Sequence, residues 1–231
     1  MTAPIVVFDL DGTLVDTAPD LLDSLNHCLQ SAGEPAVNLG DVRRFVGSGS
    51  RAMIARAFAS RGKTLPDSDL DSLQALFLEH YEAGIPGRSR PFPGVLEALD
   101  RLRRADFKAA VCTNKHERPA RRLLEGLDIA GHFEAISGGD TFTYRKPDPR
   151  HLLDTIAQAG SAPGLAVMVG DSRADIDAAK AAGIPVVAVD FGYTDRPVHL
   201  FEPSRVISHF DALTVSLVEE LVEAAADQTA S

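Results

Sequence analysis

Residues Phe8–Asp16 read FDLDGTLVD, directly after the apolar run Ile5-Val6-Val7. Four consecutive apolar side chains without polar alternation describe a strand covered on both faces. Two aspartates one residue apart, Asp9 and Asp11, then meet at its carboxyl end. Like charges repel there, and burying them is costly. A cation between them would make the pair tolerable. The stretch therefore predicts a central strand with a charged site at its tip, and Gly12 gives the backbone room to turn.

Comparable runs recur at Phe107–Cys112, Phe133–Ile136, Leu165–Val169 and Val186–Val189. Between them lie the helical patterns VLEALDRLRRA, PARRLLEGLDI, HLLDTIAQAG and DIDAAKAAGI. Strand alternating with helix predicts an α/β fold, a doubly wound, Rossmann-like parallel sheet. The alternation stops once. From Asp16 to about Arg90 there is no strand pattern, only TAPDLLDSLNHCLQSAG, LGDVRRFVGSGSRAMIARAFASRG and DSDLDSLQALFLEHYEAG, each mostly amphipathic helix. The Pro- and Gly-rich IPGRSRPFPGV (Ile85–Val95) leads back. We expect a catalytic core of residues 1–16 and 91–231 carrying an inserted all-helical cap of residues 17–90. Asp16 and Asp20 read as caps of its first helix. The final helix, ALTVSLVEELVEAAA, is expected to pack on the core.

The chain has 231 residues, 45% hydrophobic and 24% charged, with a net charge of −10. That balance argues against a nucleic-acid partner, whose phosphates demand a basic face. The N-terminal apolar run is too short for a signal peptide or a membrane span. Cys28 and Cys112 have no metal-binding spacing. Cys112 ends an apolar run and reads as a reduced core thiol, which points to a cytoplasmic protein without a membrane partner. A monomer and a homodimer are both compatible with this composition.

In a parallel sheet, ligands bind at the edge formed by the strand carboxyl ends. The residues converging there are Asp9 and Asp11 after the first run, Thr113 and Asn114 after the second, and Asp171 and Asp175 after the fourth. Lys146 follows the third run, within YRKPDP. Oxygen ligands without His or Cys suit a hard cation, most simply Mg2+, which leaves room for a substrate phosphate. With the cation and Lys146 holding phosphoryl oxygens, an aspartate is placed to attack phosphorus. The second aspartate is placed to act as general acid and base.

DLDGTLVD, CTNK, KPDP and GDSRAD resemble the four ordered motifs of the haloacid dehalogenase superfamily, in its phosphatase branch. The resemblance implies that Asp9 is the nucleophile and Asp11 the general acid/base. It implies that Thr113 and Lys146 bind the phosphoryl group of a small phosphorylated metabolite. Mg2+ would be held by Asp9, the backbone carbonyl of Asp11 and Asp171, with Asp175 supporting the site. The helical insertion matches the family's closing cap. Whole-chain similarity and the cap stretch FVGSG resemble phosphoglycolate phosphatases, which implies 2-phosphoglycolate as substrate.

GSGSRA (Gly47–Ala52) fits a dinucleotide fingerprint by letter, but no buried strand precedes it, so nicotinamide binding is rejected. Gly47, Ser48 and Gly49 either offer backbone N–H groups to the non-phosphate end of a substrate or form a plain interhelical turn. Arg44 and Arg51 either pair with a substrate carboxylate or are solvated helix charges. The seven histidines show no metal spacing and are read as structural or exposed. Asp11 argues against a dehalogenase, which has no alkoxide to protonate. A phosphonate hydrolase would need a cap lysine, and only Lys63, in a polar loop, stands there. A β-phosphoglucomutase-like phosphomutase and other small-molecule phosphatases share the core motifs. A non-enzymatic phospho-acceptor domain is disfavoured by the large cap and by a built-in hydrolytic acid.

Overall fold

A computed structural model describes residues 2–47, 49–194 and 196–229. Strand β1 (Ile5–Phe8) is buried at every position and sits at the centre of a six-stranded parallel sheet. Its partners are β4 (Lys108–Cys112) on one side and β6 (Ala166–Gly170) on the other. β5 (Ala135–Ser137) pairs outside β4, and β7 (Val186–Val189) and then β8 (Arg205–Ile207) pair outside β6, giving the order β5-β4-β1-β6-β7-β8. All the pairs are parallel, and the chain lays its strands outward from β1 first to one side and then to the other, as the doubly wound expectation required.

Alternate residues of each strand serve opposite faces. Val6, Phe8, Val111 and Val169 pack with α5 (Val95–Arg104), α6 (Glu117–Gly126) and α9 (Val215–Thr229) through Leu99, Leu123 and Leu221. Ile5, Val7, Cys112 and Met168 pack on the other face with α7 (Pro149–Gln158) and α8 (Arg173–Ala181) through Leu152, Ile156 and Ile176. Both cysteines are free and buried. The last helix packs on the core, as its apolar spacing predicts.

Four helices between β1 and α5 form the helical lobe. Helices α1 (Ala18–Ser31), α2 (Leu39–Phe45), α3 (Ser50–Ala59) and α4 (Asp67–Gly84) enclose their own core of Leu25, Leu29, Ile54, Phe58 and Phe77. The long pattern LGDVRRFVGSGSRAMIARAFASRG is two helices. A capping box of Asn38 and Asp41 starts α2. Gly47 (φ +104) and Gly49 (φ +87) interrupt the chain before α3, in a region other residues rarely enter.

Three details depart from the sequence reading. β8 lies outside all the apolar runs, because two of its three residues are exposed at the sheet edge. Val15–Asp16 (β2) and Arg90–Pro91 (β3) form a short antiparallel ribbon that sets the two chain crossings side by side. Asp16 and Asp20 are not helix caps. Thr17 holds the N-cap position of α1 without a side-chain capping bond. Asp16 accepts a hydrogen bond from the Tyr193 hydroxyl. Asp20 accepts from the backbone N–H of Arg88 (3.0 Å) and from both the N–H (2.7 Å) and the hydroxyl (2.5 Å) of Ser89, tying α1 to the returning chain.

Candidate active site

The carboxyl ends of β1, β4 and β6 deliver their following residues to one place. Asp9 continues the β1 register, its N–H donating to the Val169 carbonyl at 2.9 Å. Beyond it the chain turns at Gly12 (φ +85), where a Cβ would lie only 2.4 Å from Asp171 Oδ2. Glycine is needed both for the turn and for that close approach. At the end of β6, Gly170 leaves space of the same kind, since a Cβ there would stand 2.4 Å from Cβ of Asp175. A capping box of Ser172 and Asp175 then starts α8.

Asp9, Asp171 and Asp175 are buried, and each offers an oxygen within 4.8 Å of the others. Lys146 is buried among them, with its Nζ 3.1 Å from Asp9 Oδ1 and 2.5 Å from Asp175 Oδ1. It also donates to the Cys112 carbonyl at 2.6 Å. Asp175 commits its other oxygen to the N–H (3.0 Å) and hydroxyl (2.7 Å) of Ser172. Asp175 thus braces Lys146 and the start of α8. Asp171 accepts from the Thr13 hydroxyl at 2.8 Å and from the Tyr193 N–H at 2.5 Å.

Three carboxylates facing one ammonium leave the cluster two negative charges in excess. Burial, only partly offset by Lys146, pushes the Asp9 carboxyl up to about 6. Asp171 is raised well above its ordinary value by burial and by the charges of Asp9 and Asp175. Burial opposes the charge on Lys146, but the Asp175 and Asp9 carboxylates outweigh it and hold the ammonium protonated. Asp9 Oδ1 is buried without a hydrogen bond. An excess of two charges, a buried carboxylate oxygen met only by the Lys146 ammonium and an all-oxygen donor set fit a hard divalent cation.

Asp11 stands apart from this cluster. Its carboxylate accepts from the Thr17 hydroxyl at 2.7 Å and from Lys115 Nζ at 3.0 and 3.3 Å. Its carboxylate is thereby engaged away from the three clustered acids. Thr113 is buried; its hydroxyl accepts from the Lys115 N–H at 3.2 Å and keeps its own proton for another acceptor. Asn114 donates to the carbonyls of Gly47 (3.2 Å) and Lys146 (3.0 Å), linking the helical lobe to the site.

Above the cluster is a cleft lined by Asp9, Asp11, Thr113, Asn114, Lys115 and His116 from below, and by Gly47, Gly49, Ser50, Met53, Phe77 and Tyr81 from the helical lobe. Gly47 is in this lining; Ser48 lies outside the described residues. Arg51 is absent from this lining. Its guanidinium pairs with Asp67 and Asp71, each at 3.0 Å, so it joins α3 to α4 instead of facing a substrate. Arg44 is likewise engaged with Asp41 at 2.5 Å. Sequence reasoning passed over Lys115, although it is the last letter of CTNK, and over Tyr81, Thr13 and Tyr193. Lys115 had a signal in its place at a strand end; Tyr81 had none, because its importance depends on how the two lobes face each other.

A parallel α/β sheet with an acidic, lysine-braced cluster at its carboxyl edge and a helical lobe above defines a hydrolase of phosphoryl-transfer type. The family model of haloacid dehalogenase-like hydrolases matches residues 6–189, and the chain belongs to that family. A protein named phosphoglycolate phosphatase from Mesorhizobium japonicum is 60% identical over 225 residues, covering 97% of this chain and 99% of the relative. Another of that name from Agrobacterium fabrum is 52% identical, covering 95% and 94%. The crystal structure of a predicted phosphoglycolate phosphatase from Haemophilus somnus superimposes with a TM-score of 0.85 at 29% identity, covering 94% of this chain and 99% of that one. These likenesses place the chain in the phosphatase branch. No described helix is long and apolar enough to cross a membrane.

Proposed function

We propose that the protein is a Mg2+-dependent phosphomonoesterase that works through an aspartyl phosphate on Asp9, with 2-phosphoglycolate as its substrate. The observation that carries the reaction is the buried Asp9–Lys146–Asp175–Asp171 cluster with Asp11 held separately beside it. The substrate rests on the names of the relatives and on a cleft whose upper wall is largely apolar, suited to a short carbon skeleton.

Asp9, Asp171 and the Asp11 carbonyl would hold Mg2+, which supplies the positive charge that lets two carboxylates and a phosphate share one site. Lys146 and the Thr113 hydroxyl bind phosphoryl oxygens, and Asp175 keeps Lys146 aimed. An Asp9 oxygen forms a bond to phosphorus as the ester P–O bond breaks, and the leaving alkoxide takes a proton from Asp11. Asp11, now a carboxylate, removes a proton from water. The hydroxide attacks phosphorus, the bond to Asp9 breaks, and phosphate departs with Asp9 restored. Thr17 and Lys115 hold the Asp11 carboxylate in place through this cycle.

The test is phosphate release from a panel of small esters, with Mg2+ and with excess chelator. 2-Phosphoglycolate should lead, activity should vanish with chelator, and Asp9→Asn should lose nearly all turnover while staying folded. Near-normal activity in Asp9→Asn would overturn the nucleophile assignment. Metal-dependent release favouring another ester would overturn the substrate. Conversion of a sugar phosphate to its isomer without phosphate release would point to a phosphomutase.

A further inference from the structure

Among the described residues, Lys115 is the single lysine or arginine lining the cleft. Its side chain is only 6% exposed. Nζ reaches both Asp11 oxygens and stands 4.1 Å from the centre of the Tyr81 ring. Among the described residues this buried ammonium faces the Asp11 carboxylate and the Tyr81 phenol, whose oxygen is within its reach. The Tyr81 hydroxyl, on a residue 3% exposed, is buried without a hydrogen-bond partner. A buried hydroxyl left in that state is costly unless something in the cleft accepts its proton. Lys115 is also two residues from Thr113 and bonded to it through its own N–H. A cationic donor and an orphan donor thus lie beside the phosphoryl site.

We infer that Lys115 and the Tyr81 hydroxyl form the subsite for the second anionic group of the substrate, a carboxylate borne close to the phosphoester. The inference rests on the proposed phosphatase reading and adds the residues that select the substrate. An ammonium and a hydroxyl present two donors to two carboxylate oxygens, and the wall of Leu21, Met53 and Phe77 excludes water from the pairing. Arg44 and Arg51, the other candidates for this task, are occupied on the helical lobe. Lys146 lies beneath the cleft beside Asp9 and Asp175, where the proposed reaction assigns it to the phosphoryl group. Lys115 is therefore a specificity residue, and it also positions Asp11.

These two roles separate in one experiment. Wild type, Lys115→Met and Tyr81→Phe are assayed with Mg2+ on 2-phosphoglycolate, on 2-phospholactate and on ethyl phosphate, which lacks the carboxylate. Holding Asp11 alone would lower kcat on all three esters alike and leave their ratios unchanged. A carboxylate subsite predicts that Lys115→Met lowers the preference for the carboxylate esters roughly 10- to 100-fold, chiefly through KM, as removal of a charge-assisted hydrogen bond does. Tyr81→Phe should shift the same ratio in the same direction by a smaller factor, and it decides the matter if Lys115→Met does not fold. Ratios unmoved in the folded variants overturn the subsite while leaving the phosphatase reading intact. A wild type that favours 2-phospholactate over 2-phosphoglycolate, with a Lys115-dependent ratio, overturns the substrate and supports the subsite.

Discussion

Asp9 and Asp171 bind their protons more tightly in the folded chain than free carboxylates do, and that has a measurable consequence. Burial is the main cause for both; Asp9 is raised from 3.8 to about 6 even with Lys146 at 3.1 Å. A carboxyl with a raised folded pKa contributes stability below its unfolded value and loses it as pH climbs through the folded value. In chelator, the Asp9 contribution should therefore fall between about pH 4 and pH 6. Asp9→Asn removes the titrating group but keeps the shape. The melting temperature of this variant should rise relative to wild type across that window, and the gap should narrow at neutral pH when Mg2+ is added. A gap that stays flat with pH in chelator would contradict the electrostatic account of the cluster. Asp11→Asn should behave differently. Its carboxylate faces Thr17 and Lys115 rather than the cluster, so Mg2+ should still raise the melting temperature while turnover falls by roughly 10²-fold or more. Complete loss of that stabilisation in a folded variant would refute the division of labour between the two aspartates.

At the scale of elements, the chain crosses twice between sheet and helical lobe, and the crossings are fastened side by side. The β2–β3 ribbon is only two residues long. Asp20 adds three hydrogen bonds from Arg88 and Ser89, and Ser89 is fully buried. Asp20→Ala would strand those donors, and we expect a loss of about 2–3 kcal/mol in urea unfolding. Faster proteolytic cutting near residues 85–90 should accompany it. Stability within 0.5 kcal/mol of wild type would show that the ribbon suffices. The sequence hid this fastening, because an aspartate near a helix start reads as a cap until its partners 68 or 69 positions away are known. The central strands were legible for the opposite reason. β1 is apolar at every position because both its faces are covered, and that leaves a pattern no distant contact alters. β8 is half exposed at an edge and leaves none. The same rule sorts the site. Asp9, Thr113, Lys146 and Asp171 follow from strand ends and ordered motifs. Tyr81 depends on the packing of α4 over the sheet, and Arg51 on ion pairs within the helical lobe.

Across the whole molecule, the sheet and the helical lobe have separate buried cores. What joins them over the cleft is mostly polar. Asn114 donates to the Gly47 carbonyl, Gln74 meets His116 at 3.4 Å, and Lys115 stands over Tyr81. Glu82 of α4 pairs with Arg118 at 3.1 Å and Arg122 at 3.4 Å on α6. Because most of these contacts are polar, parting them exposes little apolar surface beyond the cleft wall, so the lobes can separate at modest cost. We propose that residues 17–90 act as a cap that opens to exchange substrate for products and closes to keep bulk water from Asp9. Glu82 is the place to test this, because it bridges the lobes from outside the cleft. Its arginine partners are 78% and 44% exposed, so each pair contributes at most about 1 kcal/mol, and salt screens it. Glu82→Gln should therefore raise KM by roughly two- to five-fold through a less populated closed form, without lowering kcat. Added salt weakens these pairs in wild type but has none to weaken in the variant, so KM should climb more steeply with ionic strength in wild type. Equal salt dependence in the two proteins would mean that the Glu82 pairs do not hold the cap closed, and the closing force would then have to come from the substrate bridging Lys115 and Tyr81.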